Sequence, residues 1–415
     1  MRIEIGLHQP IPLNQHVILQ YVSPKNMKTH LVAAILLLTT CKIHSESFSL
    51  TLEQSKDLST WNAIPISSMM LSNNGSIIVD NVSGDSSIFF RLRIEGIVEK
   101  WLYLGSMADA ANWGRLLSSN GSSIYSLAEN GGSFLKFDPA TKVFTSLPTP
   151  PHFTWGSVSL WLNGKYYLIG GYNSSKMLAY DPTTNTWTTL ADSPRQGFFQ
   201  AVALNGKIYL IGGTPGGLTS YYAQCSVFDP STGWSALPSL PNARHGVAVV
   251  AEGSDIYVIG GAAGSSSLPT NTVFKFSTQT SSWITLPPMP TSRSNPEAFS
   301  VNGRIYVIGG YPQSGQSAQV SFKPSPFETY QISDSSWSAL PSLEFSGSIY
   351  YSGIIQQNSS LYSLNHGQRF VLTENRWVAF LSRPEESSGF PVVLNGRIYL
   401  VSRSSSMFSV YEYNP

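Results

Sequence analysis

The sequence predicts an all-β fold in which one four-stranded antiparallel sheet is repeated around a ring. Three observations carry that expectation. Near-copies of one hexapeptide recur: Tyr166–Gly171 reads YYLIGG, Ile208–Gly213 reads IYLIGG, and Ile256–Gly261 and Ile305–Gly310 both read IYVIGG. Their tyrosines, Tyr167, Tyr209, Tyr257 and Tyr306, lie 42, 48 and 49 residues apart. A period of this length marks one supersecondary unit stacked on its neighbours. The segments Trp234–Pro238, Trp283–Pro287 and Trp337–Pro341 recur downstream as a large aromatic running to Leu-Pro.

Within one unit the elements come in a fixed order. The first is an apolar stretch such as Phe198–Leu204. It ends in Asn163-Gly164, Asn205-Gly206, Asn302-Gly303 or Asn395-Gly396, pairs that close a two-residue hairpin. The Tyr strand follows and ends in Gly-Gly, where a chain can take unusual backbone angles and approach closely. A variable loop then leads to a third strand ending in Asp138-Pro139, Asp181-Pro182 or Asp229-Pro230, which is turn chemistry. The aromatic-to-Leu-Pro segment is the fourth strand. Four short strands separated by turn signals make one twisted sheet.

The same template finds weaker copies. The Tyr anchors become Tyr125, Tyr167, Tyr209, Tyr257, Tyr306, Tyr362 and Tyr399. The fourth-strand aromatics become Trp101, Phe144, Trp187, Trp234, Trp283, Trp337 and Trp377. Trp101 precedes the first anchor, and Tyr411–Pro415 stops where a fourth strand is due. Pairing the two would complete a sheet from both parts of the chain and remove free edges. The expectation is therefore a seven-bladed β-propeller over residues 98–415 with this closure. Six blades is the alternative, because the units at Tyr125 and Tyr362 are degenerate.

The order of an apolar strand, Asn-Gly, Ile-Tyr-Val-Ile-Gly-Gly, Tyr-Asp-Pro and Trp-x-x-Leu-Pro resembles the kelch repeat family, best between Gly156 and Pro341. The first, sixth and seventh units depart from it by lacking the double glycine. The resemblance implies a propeller, and in kelch proteins that bind peptides it implies arginines near the inner strands used on carboxylates. It also raises two enzyme readings. A copper oxidase of the galactose-oxidase type needs two His, two Tyr and a Tyr–Cys crosslink, whereas the propeller carries only His152, His245, His366 and a single Cys. A cofactor-free mutarotase of the sialic-acid type needs a carboxylate facing an Arg in the channel, for which Glu297 and Arg293 are the nominees.

Composition bounds the rest. Charged residues make up 12% of 415, about half the usual share of roughly 25%. The surface is therefore expected to be covered by Ser, Thr, Asn and Gly. A net charge of +1 leaves no electrostatic footprint for nucleic acid. Leu31–Leu38 is too short to span a bilayer, which needs about 20 residues. With Lys25 and Lys28 before it, the run fits a secretory signal. The expected domains are 1–26 as a misassigned upstream extension, 27–45 as signal peptide, 46–97 as a small β-rich module and 98–415 as the propeller. The location is then periplasmic or extracellular. Cys41 ends the apolar run, so a lipid anchor there is the alternative to its loss with the signal. Cys225 then stands alone, and neither a disulfide nor a cysteine metal site can be built. No cofactor or metal is expected.

Two constellations are candidate ligand sites. Arg195, Arg244 and Arg293 lie 14, 13 and 13 residues before their Tyr anchors. Equivalent positions in a ring converge on its axis, where three guanidiniums would grip carboxylates or sulfates through forked hydrogen bonds. The alternative is that each caps turn carbonyls or pairs with an Asp or Glu of the next blade. The second constellation is the loops after Gly-Gly, Thr214–Gln224, Ala262–Asn271 and Tyr311–Phe327, where Tyr221, Tyr222, Tyr311 and the adjacent His245 suit a protein or glycan ligand. A binding module is the expected function, with the mutarotase-type enzyme as the alternative.

Overall fold

The computed structural model describes residues 101–108, 115–128, 132–152, 155–215, 220–264, 268–311, 325–343, 354–358, 360–364, 367–379, 388–404 and 407–414, with strands between residues 3 and 100. The apolar run Leu31–Leu38, Cys41, His366 and most of the Tyr311–Phe327 loop lie outside the described residues. Among the described residues no helix is long and apolar enough to cross a membrane.

The chain divides into two compact units. The first comprises Met1–Lys100 with Ala379–Leu381 and Asn414–Pro415. It holds one sheet of order Ile3–Ile5, Ile77–Val79, Met69–Leu71 and another of order Val17–Tyr21, Ile88–Gly96, Phe48–Ser55, Asn62–Ala63. Segments of the 1–26 stretch thus pair with strands of the 46–97 stretch.

The second unit is an all-β propeller of antiparallel four-stranded sheets, seven of them among the described residues. Blade one is Arg115–Ser119, Ile124–Ala128, Phe134–Asp138 and Val143–Leu147. Blade two is Val158–Leu162, Lys165–Ile169, Met177–Asp181 and Thr186–Thr189. Blade three is Phe198–Leu204, Lys207–Thr214, Cys225–Asp229 and Gly233–Leu237. Blade four is Ala248–Glu252, Asp255–Ile259, Val273–Ser277 and Ser282–Leu286. Blade five is Glu297–Val301, Arg304–Ile308, Ser325–Gln331 and Ser336–Leu343. Blade six is Ile354–Gln357, Ser360–Ser363, Gln368–Val371 and Arg376–Ala379. In blade seven the order is Ser388–Leu394, Arg397–Ser404, Met407–Asn414 and then Lys100–Ala108, the closure expected from the offset of the two aromatic series.

Each blade carries the same cross-strand ring pair between its third and fourth strands. Centroids are 4.5 Å apart for Phe137–Phe144, 5.3 Å for Tyr180–Trp187, 5.1 Å for Phe228–Trp234 and 5.0 Å for Phe276–Trp283. They are 5.1 Å for Tyr330–Trp337, 5.1 Å for Phe370–Trp377 and 5.5 Å for Tyr413–Trp101. Directly opposed aromatic pairs are units of sheet stabilisation, which is why this position keeps a ring from blade to blade. The seventh pair brings together residues from opposite parts of the propeller sequence. The Tyr anchors of all seven second strands are buried. They sit in cores shared by neighbouring blades, such as Tyr209, Val258, Phe274 and Phe276.

The same fourth-strand residues also join blades. The indole Nε1 of Trp187 donates to Pro148 O at 2.7 Å and that of Trp234 to Ala191 O at 3.1 Å. Trp283 donates to Pro238 O at 2.8 Å, Trp337 to Pro287 O at 2.9 Å and Trp377 to Pro341 O at 2.7 Å. Four acceptors lie just beyond the fourth strand of the preceding blade, and Pro341 lies within it. The Leu-Pro ending therefore presents a carbonyl to the next blade's indole. Phe144 of blade one has no N–H and instead packs on Gly105 of blade seven, where a Cβ would come within 3.0 Å of its ring.

Turn chemistry follows the sequence. Both residues of the four Asn-Gly pairs have positive φ, Asn205 at 51° and Gly206 at 73° among them, as a type I′ turn requires. The double glycines sit where the segment entering the next blade comes close. Gly260 has φ 64°, and a Cβ there would lie 2.7 Å from Arg293 O. Gly261 N donates to that same carbonyl at 3.0 Å.

Candidate functional site

The three arginines lie in the segments that enter blades three, four and five, and each makes its contacts within its own blade. Arg244 and Arg293 are 1% and 0% exposed and Arg195 is 9% exposed, and each guanidinium touches the third strand of its own blade. Arg244 Nη1 donates to Gly260 O at 3.1 Å and Thr272 Oγ1 at 2.6 Å, and its Cζ stands 4.4 Å from the Phe274 ring centroid. Arg293 Nη1 donates to Gly309 O at 3.1 Å and Pro326 O at 2.8 Å, while Nη2 forms an ion pair with Glu328. Burial lowers the pKa of both, that of Arg244 to about 10.

Arg244 and Arg293 thus take contacts of the alternative kind, each capping carbonyls and Arg293 also pairing with an acid. The Nη1 of each donates to the carbonyl of the first glycine of Gly-Gly, where the strand ends and an orphaned buried acceptor would be costly, while Arg293 Nε is buried with no acceptor among the described residues. The residue facing the guanidinium occupies one repeat position, two before the third-strand aromatic. It is Ser226 in blade three, Phe274 in blade four and Glu328 in blade five.

Arg195 departs from the other two. It stands one residue further from its Tyr anchor, and its blade has a pairing irregularity between Phe198 and Gln200. Where Gly261 bonds to the carbonyl of Arg293, Gly171 bonds to Gly197 O, two residues past Arg195. Arg195 Nη1 reaches Ser226 Oγ at 3.2 Å, and its Cζ lies 5.4 Å from the Phe199 ring and 5.7 Å from that of Tyr222.

The loop tyrosines divide. Tyr221 is half-buried and its ring lies 4.5 Å from that of His245, whose pKa is lowered by burial. Tyr222 packs over Arg195 and its carbonyl accepts Arg244 N at 3.2 Å. Tyr311 is only 4% exposed and its backbone bridges to Ser294, so its ring is not offered to solvent as expected. Its counterpart after the blade-two glycines, Tyr172, is 49% exposed.

Tyr172 belongs to a group that the repeat reading passes over. Tyr172 N donates to Trp155 O at 2.8 Å, and Trp155 is 55% exposed. The Phe198 ring supports both, 4.9 Å from Trp155 at 72° and 6.3 Å from Tyr172. The three rings lie at the Gly-Gly end of blades two and three, the end that carries Tyr221 and His245. The signal available in the sequence is an aromatic directly after Gly-Gly with a Trp-Gly ahead of the same blade's inner strand.

A cavity of about 390 Å³ lies between inner strands of blades three to six, lined by Gln200, Val249, Asn295, Glu297, Phe299 and Ile354 among others. Glu297 reaches this cavity, but its nominated partner Arg293 is turned outward to Glu328. No group of His, Cys, Asp and Glu suited to a metal ion occurs among the described residues.

A family described as the Kelch motif matches residues 162–194 and 243–290. Kelch-like protein 35 of Mus musculus is 31% identical over 130 residues, 30% of this chain and 22% of that protein. Kelch-like protein 23 of Pongo abelii is 32% identical over 108 residues, 25% of this chain and 19% of that protein. The matched region spans about a fifth of the length of these curated relatives. A solved structure described as "Structure of YjhT" aligns over 72% of this chain and 93% of its own, at a TM-score of 0.48 and 17% identity.

Proposed function

We propose, from the premise that this chain is a kelch-repeat β-propeller, that it is a binding module recognising a protein or glycan through the Gly-Gly end of blades two to four. The carrying observation is the half-exposed aromatic group of Trp155 and Tyr172 braced by Phe198. Large exposed aromatics held rigid by packing supply contact area at small entropic cost, and apolar surface left open on a soluble fold marks an interaction site. The stacked Tyr221 and His245 extend the same end. The mutarotase-type alternative needs an Arg facing a carboxylate in the channel, and the outward pairing of Arg293 with Glu328 favours binding over it. Export, the companion proposal, rests on the Lys28 to Leu38 segment alone.

The test is a binding screen of the full chain against a glycan array and a random peptide library, with Trp155→Ala and Tyr172→Ala beside wild type. A hit weakened at least tenfold by either substitution supports the reading. Hits indifferent to both would move the site elsewhere. Glycan hits accompanied by anomer exchange, seen by NMR and abolished in Glu297→Gln, would replace binding with catalysis.

A further inference from the structure

Repetition supplies controls for one acidic side chain within its own molecule. Glu297 opens the inner strand of blade five and pairs with Ile308, two residues past the Tyr anchor. The residue at that pairing position is Leu116 in blade one, Val158 in blade two and Gln200 in blade three. It is Ala248 in blade four and Phe390 in blade seven. The same sheet thus forms with Leu, Val, Ala or Phe there, so the repeat does not call for a carboxylate.

Three consecutive members of this series, Gln200, Ala248 and Glu297, line the cavity of about 390 Å³ between the inner strands. Val249, Phe299 and Ile354 give it apolar walls. Gln200 and Asn295 are exposed and bring two amides to its rim. Among the described lining residues there is no Lys, Arg or His, and Glu297 is the single acid. A ligand therefore meets one carboxylate, two amides and hydrocarbon. Apolar walls lower the local dielectric and strengthen the attraction of a carboxylate for a cation. A volume of this size, apolar with a few placed polar groups, is that of a small-molecule site.

We propose that this cavity binds a small organic cation, a protonated primary amine on an apolar body, with Glu297 as its counter-charge. The ammonium donates to the carboxylate and to the amide oxygens of Gln200 and Asn295. The body lies against Val249, Phe299 and Ile354. An acid of the same size would meet Glu297 at like charge. Trp155, Tyr172 and Phe198 are not among the described lining residues, so the site does not depend on the aromatic group.

The probe is phenethylamine, set beside phenethyl alcohol and phenylacetate, which keep the benzyl group and change the head. Dissociation constants are measured by ligand-observed NMR on the full chain at neutral pH and constant ionic strength. Wild type is expected to bind the amine about tenfold or more tighter than the alcohol, the worth of a charge-assisted hydrogen bond, and phenylacetate weakest of the three. Glu297→Gln is expected to lose that advantage while binding the alcohol as before, and Trp155→Ala to behave as wild type. Should Glu297→Gln fail to fold, the comparison of amine with alcohol in wild type decides alone. No binding of the amine, equal binding of amine and alcohol, or an unchanged amine affinity in Glu297→Gln overturns the proposal. Loss of amine binding in Trp155→Ala would move the cation to the aromatic group and overturn it as well.

Discussion

Asp181 and Asp229 show how one side chain serves a turn twice. Asp181 Oδ1 accepts Thr183 N at 2.9 Å and Thr183 Oγ1 at 2.6 Å, and Asp229 does the same for Ser231 at 2.8 and 2.6 Å. The hydroxyl donors, followed by the backbone amides and Lys165 or Lys207, hold both carboxyls at about 2. A carboxyl depressed on folding contributes stability above its unfolded value near 4, and loses it as pH falls towards its folded value. Tm is therefore expected to decline between pH 4 and 2, with a shallower decline in Asp181→Asn and Asp229→Asn than in wild type. An unchanged acid slope in both variants would refute the assignment. These turns are legible from Asp-Pro-Thr and Asp-Pro-Ser because the interaction is local. The arginines are legible as a series but not in their direction. Spacing along a chain fixes position in the repeat, whereas the side of the sheet a guanidinium reaches depends on what the third strand offers. Ser226, Phe274 and Glu328, each two residues before an aromatic, are where that information lies.

At the scale of the element, the fourth strand does more than its sequence suggests. Its aromatic packs within the blade, and five indoles also donate across to the preceding blade. Trp283→Phe keeps the ring and removes only the donor to Pro238 O. A net cost of about 0.5–1 kcal/mol is expected, because a neutral hydrogen bond that water can partly replace is worth no more. Urea unfolding measures it, and a change within error would mean that the indoles contribute through packing alone. The recurrence of Trp and Leu-Pro shows where the strand lies, but the bond between them spans blades and needs the ring to be seen. The aromatic group of Trp155, Tyr172 and Phe198 escapes a repeat-based reading for the opposite reason. It is built from what differs between blades, and a template retains only what recurs.

For the whole molecule, the decisive pairing is that of Lys100–Ala108 with Met407–Asn414. Across this pairing, which the offset of the two aromatic series anticipates, Trp101 packs on Tyr413 at 5.5 Å and Tyr103 on Tyr411 at 5.4 Å. A variant starting at residue 109 should leave blade seven with an open edge, the template for association between copies. Gel filtration is expected to show self-association, and calorimetry a broadened transition. A monomer with a single sharp transition would show that the strand is dispensable. The seam between blades seven and one is also where Phe144 replaces the indole; there it packs on Gly105 and Phe408 over a core shared by Ile124, Phe137, Tyr399 and Val410, and the Ser119 hydroxyl donates to Val393 O at 3.0 Å.

That closing strand also sets an order in time. On the ribosome Lys100–Ala108 is made about 300 residues before its partner Met407–Asn414. At roughly 5–20 residues per second it waits on the order of 15–60 s. Through that interval six blades can assemble as they emerge, while the strand that will seal the ring stays unpaired. The hairpin of Arg397–Ser404 and Met407–Asn414 thus acts as the fastener, and the propeller becomes a closed object only once that hairpin has emerged.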